Sequence, residues 1–141
     1  MNDSDTTQPA RHIDTILQTA HALEARLEAV LDEAGLSGAK FSVLSELVRS
    51  GEALPLGELA SRLACVRSNM TQLVDRLESD GLVRRVACPT DRRSIKAEIT
   101  EEGIKRQADG ARRVEELDRG VAALVSDKDA AALQRMMVAL K

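Results

Sequence analysis

The apolar residues of this chain recur mostly in steps of three and four. Ile13, Ile16, Leu17, Ala20, Leu23, Leu27, Val30 and Leu31 predict an amphipathic helix of about five turns that ends near Gly35. After GLSG, Phe41, Leu44, Leu47 and Val48 mark one face of a second helix. SGEALP reads as a loop, and LGELASRLA as a short helix with Leu59, Ala60 and Leu63 inward. RSNMTQLVDRLESDG carries the sharpest pattern: Met70, Leu73, Val74 and Leu77 fall at i, i+3, i+4 and i+7, and Gly81 stands at a C-cap position.

The period then changes. LVRRV reads as a strand, and SIKAEIT alternates, with Ile95, Ala97 and Ile99 on one side and Lys96 and Glu98 on the other. ACPTDRR between them supplies Pro and Asp for a turn, so the strands form a hairpin. Thr100, followed by Glu101 and Glu102, caps a long helix whose apolar positions run from Ile104 to Val125. Gly110 and Gly120 inside it are expected to bend it. Ser126 and Asp129 form a capping-box pattern before a last helix through Leu133, Met136, Met137 and Leu140. The fold class is therefore mainly α with a small β-hairpin. Its outer helices carry wide apolar stripes that the middle unit does not cover, which predicts a homodimer.

Composition narrows the partners. The 141 residues hold a single aromatic side chain of the Phe, Tyr, Trp set, Phe41, so the core is aliphatic and suits helix-on-helix packing. The formal net charge is -3, yet residues 54–100 hold eight basic against six acidic side chains, and Arg84, Arg85, Arg92 and Arg93 crowd the hairpin. A local basic face on an acidic chain still attracts phosphate. The polar, acidic start, residues 1–8, is expected to be a disordered lead-in. No apolar run reaches the ~20 residues of a membrane span, and the two cysteines make no disulfide framework, so a cytoplasmic protein without membrane partner is expected. No metal-ligand spacing, nucleophile–base pair or phosphate-binding glycine loop is present in the sequence, which argues against an enzyme and against a metal cofactor.

LPLGELASRLACVRSNMTQLVDRLESDG fits a helix-turn-helix. A helix that enters the major groove needs short polar and Arg side chains near its N-terminus, and Arg67, Ser68, Asn69, Thr71 and Gln72 supply them. Arginines on the following hairpin suit a wing that reaches the narrow, negative minor groove.

From LGELASRL through MTQLVDRLESDGLVRR to DRRSIKAEITEEG, the chain resembles the MarR family of winged-helix transcriptional regulators. The resemblance implies a homodimer joined through residues 9–36 and 101–141, with residues 37–100 as the winged helix-turn-helix DNA-binding region on a pseudo-palindromic double-stranded site. It implies Arg67 to Asp80 as the recognition helix, with Arg76 joining Arg67, Ser68, Asn69, Thr71 and Gln72 on its DNA side, and a wing of Arg84, Arg85, Asp91, Arg92 and Arg93 in which Asp91 holds an arginine by a salt bridge. Val66 stands where the family often has a capping Ser or Thr, so Ser68 is expected to cap and shift the helix start. Pro55 and Leu56 likewise replace a polar cap. The family also implies relief of repression by a small aromatic or lipophilic effector. Its candidate pocket residues here are Arg11, His12, His21 and Phe41, and no other cofactor is expected.

Cys65, in the helix-turn-helix turn, is expected to be buried packing. Cys88 lies on the hairpin beside Arg85 and Arg92, so an alternative is a redox-responsive regulator in which these cations favour its thiolate. A further alternative is a winged-helix module for architectural DNA binding or protein–protein contact.

Overall fold

The computed structural model describes residues 11–141, so the lead-in at residues 1–8 lies outside the described residues. Helix α1, His12–Asp32, buries only Leu31, and the chain reverses at Gly35, whose φ of +69° belongs to the left-handed region that glycine tolerates. Helix α2, Gly38–Ser50, is capped by Ser37, whose side chain accepts from the Lys40 amide at 3.2 Å. A two-residue strand β1, Leu54–Pro55, leads directly into helix α3, Leu56–Arg62, and then helix α4, Arg67–Ser79. Strands β2, Val83–Cys88, and β3, Asp91–Ile99, form the hairpin; helices α5, Glu101–Ala122, and α6, Asp127–Ala139, follow.

The sheet order is β1-β3-β2, all antiparallel, with Leu54 opposite Ala97 and Val83 opposite Ile99. The core joins this small sheet to three helices. Val43, Leu44, Leu47, Leu54, Leu59, Met70, Val74, Leu77, Leu82, Val83 and Ala97 are each at most 2% exposed. All but Met70 are aliphatic, as a chain nearly without aromatic rings requires.

The mainly α fold with a small hairpin is borne out, with four differences in detail. SGEALP is not wholly loop, because Leu54 and Pro55 add β1. Two residues show no periodicity, and Pro55 lacks an N–H, which a strand pairing on one side alone tolerates. The expected turn ACPTDRR shrinks to Pro89 and Thr90, since both strands run on through the charged residues past a register shift between Ala87 and Cys88. Helix α4 starts at Arg67 with Val66 as an N-cap that makes no side-chain bond, so Ser68 neither caps nor shifts it. Helix α5 runs unbroken through Gly110, where a Cβ would come within 3.0 Å of the Phe41 ring. That glycine allows close helix approach.

Among the described residues one charged side chain is buried. Glu46 on α2, 7% exposed, accepts from Arg49 Nη2 at 2.7 Å and from Arg62 Nη1 at 2.8 Å, which ties α2 to α3. The Arg49 hydrogen bond, then the Arg62 one, hold its carboxyl below the usual range. A depressed folded pKa favours the ionised form in the folded state. Its contribution is therefore complete above the ordinary carboxylate range and is lost as pH falls through the depressed value. Glu46→Gln should melt below the wild type at neutral pH, with the gap closing in acid. Parallel melting curves at all pH values would contradict this.

Helix α6 buries none of its residues, and Leu133, Met137 and Leu140 are 55%, 51% and 83% exposed. Ile13 and Leu17 on α1 are similarly open at 74% and 52%. These are the unpartnered apolar faces that the sequence pattern anticipates.

Candidate nucleic-acid interface

Helix α4 buries Met70, Val74 and Leu77 and turns Arg67, Ser68, Asn69, Thr71, Gln72 and Arg76 to solvent. The amphipathic period decides this orientation. The Thr71 hydroxyl donates to the Arg67 carbonyl at 3.1 Å, so part of its hydrogen-bonding capacity is used locally. The turn before α4 is tight: Ala64 adopts φ +49°, and the Cys65 amide donates to the Ala60 carbonyl at 2.8 Å. A non-glycine residue in the left-handed region is uncommon and is held by its surroundings. Cys65 packs against the core but is half-buried rather than buried as expected, because the turn leaves one side open.

The hairpin beside α4 sorts its cations by partner. Arg84 is directly opposite Glu98 and pairs with it at 3.1 Å. Arg85, on the other face of the strand, turns to Asp75 and Glu78 of α4. Arg92 and Arg93 at the tip are exposed and form no ion pair among the described residues; nor do Arg67 and Arg76 on α4. These four guanidiniums are available to phosphate, whereas Arg84 and Arg85 are engaged. The expected salt bridge from Asp91 to an arginine is not formed among the described residues. Its Oδ1 accepts instead from the Arg93 backbone amide at 3.0 Å, because a short side chain at a turn reaches the main chain first.

Cys88 Sγ lies 3.3 Å from Thr90 Oγ1. The Thr90 hydroxyl, backbone groups of Thr90 and Asp91, and more distantly Lys96 draw its thiol below the ordinary value. The neighbours that favour the thiolate are therefore not Arg85 and Arg92, as expected from the sequence; Arg85 is committed to α4.

The candidate pocket residues are not brought together. Arg11, His12 and His21 lie exposed on α1, Arg11 pairing with Asp14 at 3.6 Å, while Phe41 is half-buried against α5. An apolar cleft of about 330 Å³ opens elsewhere, between Leu47 and Val48 of α2, Ile99 of β3 and Ile104 of α5. Periodicity shows those residues as core faces and says nothing of a gap between them. Among the described residues no His, Cys, Asp or Glu cluster is set to hold a metal, and no helix is long and apolar enough to cross a membrane.

Residues 34–94 match the model of the MarR family. The transcriptional regulator PecS of Dickeya dadantii (strain 3937) is 30% identical over 99 residues, 69% of this chain and 60% of that protein. The regulator MhqR of Bacillus subtilis (strain 168) is 40% identical over 70 residues, 50% of this chain and 48% of that one. The chain thus spans roughly half to three fifths of these relatives. Among solved structures, Sco3205 of Streptomyces coelicolor, a MarR family regulator in complex with DNA, superposes with a TM-score of 0.81 at 28% identity, over 90% of this chain and 81% of that one.

Proposed function

We propose, from the premise that this is a MarR-family winged-helix chain, that it is a transcriptional regulator which binds a specific double-stranded DNA site as a homodimer and represses by occupying it. The observation that carries this reading is the juxtaposition of a polar, solvent-facing α4 with a hairpin tip whose arginines form no ion pair among the described residues. In this reading residues 37–100 form the DNA-binding region. Residues 9–36 and 101–141 form the dimerisation region, and two copies of α4 meet successive major grooves about 10 base pairs apart. Arg67, Ser68, Asn69, Thr71, Gln72 and Arg76 face base edges and flanking phosphates, and Arg92 and Arg93 enter the minor groove. Footprinting on the DNA upstream of the protein's own coding region tests it. A discrete protected site supports a regulator, and diffuse protection supports an architectural module.

Arg93→Ala should weaken binding to all duplexes by about threefold at low salt and flatten the plot of log affinity against log salt by about 0.9, the yield of one phosphate contact. An unchanged slope would remove Arg93 from the interface.

A small aromatic or lipophilic effector that relieves repression belongs to the same reading. The aliphatic cleft between α2, β3 and α5 suits its apolar part better than the α1 residues do. A redox-responsive variant is the second reading, favoured by the lowered thiol of Cys88. It requires that peroxide change the DNA affinity of the wild type and not that of Cys88→Ser.

A further inference from the structure

One arginine of the hairpin is placed unlike the others. Arg85 sends its side chain along α4 rather than outward, over Thr71, Asp75 and Glu78, which share one helix stripe at i, i+4 and i+7. Its Nη2 pairs with Asp75 and lies 3.5 Å from the Thr71 carbonyl, while Nη1 is 4.0 Å from Glu78. The Arg85 backbone amide donates to Glu78 Oε2 at 2.9 Å, so main chain and side chain grip the same helix. The side chain is 28% exposed, and its Nε is shut away from solvent without an acceptor. The ion pairs to Asp75 and Glu78 and the backbone bond to Glu78 hold this guanidinium on the helix, and they outweigh the cost of its one unpaired N–H.

Charge explains why the grip matters. Asp75 and Glu78 are the acidic side chains on the polar side of α4, next to the row that faces DNA, and both are about half exposed. Two carboxylates beside a phosphate wall repel it unless a cation neutralises them. Arg85 is the cation that contacts both. It also anchors β2, opposite the buried Ala97, so the angle between hairpin and helix is set at the same point.

We propose that Arg85 is a positioning residue for DNA recognition: it straps the wing to the recognition helix and masks Asp75 and Glu78 from the phosphates, without itself touching DNA. This rests on the DNA-binding reading of α4 and the hairpin. It moves Arg85 out of the set of contacting wing arginines and leaves the tip, Arg92 and Arg93, as the part that reaches.

The test is a mutant cycle on two duplexes of equal length, one selected by the wild-type protein from a randomised library and one scrambled. Arg85→Ala should lose about tenfold on the selected duplex and lower the ratio of selected to scrambled affinity. In an Asp75→Asn, Glu78→Gln background the same change should cost less than about threefold, because no carboxylate is left to unmask. Arg85→Lys should fall between, since an ammonium keeps the charge but not the fork that spans several acceptors; it carries the comparison if Arg85→Ala melts below the assay temperature. Equal losses in both backgrounds and on both duplexes would overturn the proposal in favour of a direct phosphate contact. A wild-type protein that selects no duplex would overturn the DNA-binding reading first, and this inference with it.

Discussion

In the proposed homodimer, a single Leu133→Glu substitution should give a monomer and reduce affinity for the wild-type site by about a hundredfold or more. Leu133, Met137 and Leu140 form a stripe along α6, and none of that helix is buried within the chain. A second copy is the cover the proposed homodimer supplies for this apolar surface. A carboxylate in such an interface is desolvated without a partner, which dimers do not tolerate. Breaking the dimer removes the gain from linking two half-site contacts, about 10²- to 10⁴-fold for tethered modules. The monomer should keep its helical circular dichroism, because Leu133 is 55% exposed and adds nothing to the core. Light scattering reads the mass and gel shift the affinity. A variant that stays dimeric would show that α6 is not the joining surface.

Gly103→Ala should be the most damaging small change within the core, at about 3 kcal/mol, or roughly 10 °C in melting temperature for a chain of this size. Gly103 is the third residue of α5, and its amide donates to the Thr100 cap at 3.0 Å. An added Cβ would come 2.1 Å from the Leu82 carbonyl oxygen and 2.8 Å from an Ile99 carbon. That carbonyl also accepts the Thr100 amide at 3.0 Å, so it cannot retreat without releasing the start of the helix. Gly120→Ala is the control, because nothing lies within 4 Å of its would-be Cβ. There the better helix propensity of alanine should raise stability by about 0.5–1 kcal/mol. If the two variants melt alike, the close approach at Gly103 is not what holds the helix in place.

Much of this architecture was legible in residue order. The 3.6-residue period of Met70, Leu73, Val74 and Leu77 orients α4, and that same period leaves Arg67, Ser68, Asn69, Thr71 and Gln72 outward. The alternation about Ala97 identifies the hairpin, and Ser126 with Asp129 forms the capping box expected of it. The failures lie where local pattern carries no information. Strand β1 is too short to alternate. Whether Arg85 meets a phosphate or Asp75 depends on how β2 crosses α4, a tertiary distance that a charge run along the chain does not encode. The four candidate pocket residues depend on tertiary placement in the same way. Arg11, at the N-cap of α1, and His12 and His21 on that helix are exposed, whereas Phe41 is half-buried.

Helix α5 begins locked to the root of the hairpin, with the Thr100 hydroxyl on the Gly81 carbonyl at 2.7 Å, and runs 22 residues toward the α6 end. At 1.5 Å per residue that is a beam of about 33 Å. A tilt of about 5° at its far end displaces the near end by about 3 Å, close to the 3.4 Å step between stacked base pairs. In the proposed homodimer a slight re-seating of the subunits would thus be geared up into the loss of one base pair of register, so the spacing of two half-sites would be policed far from the DNA.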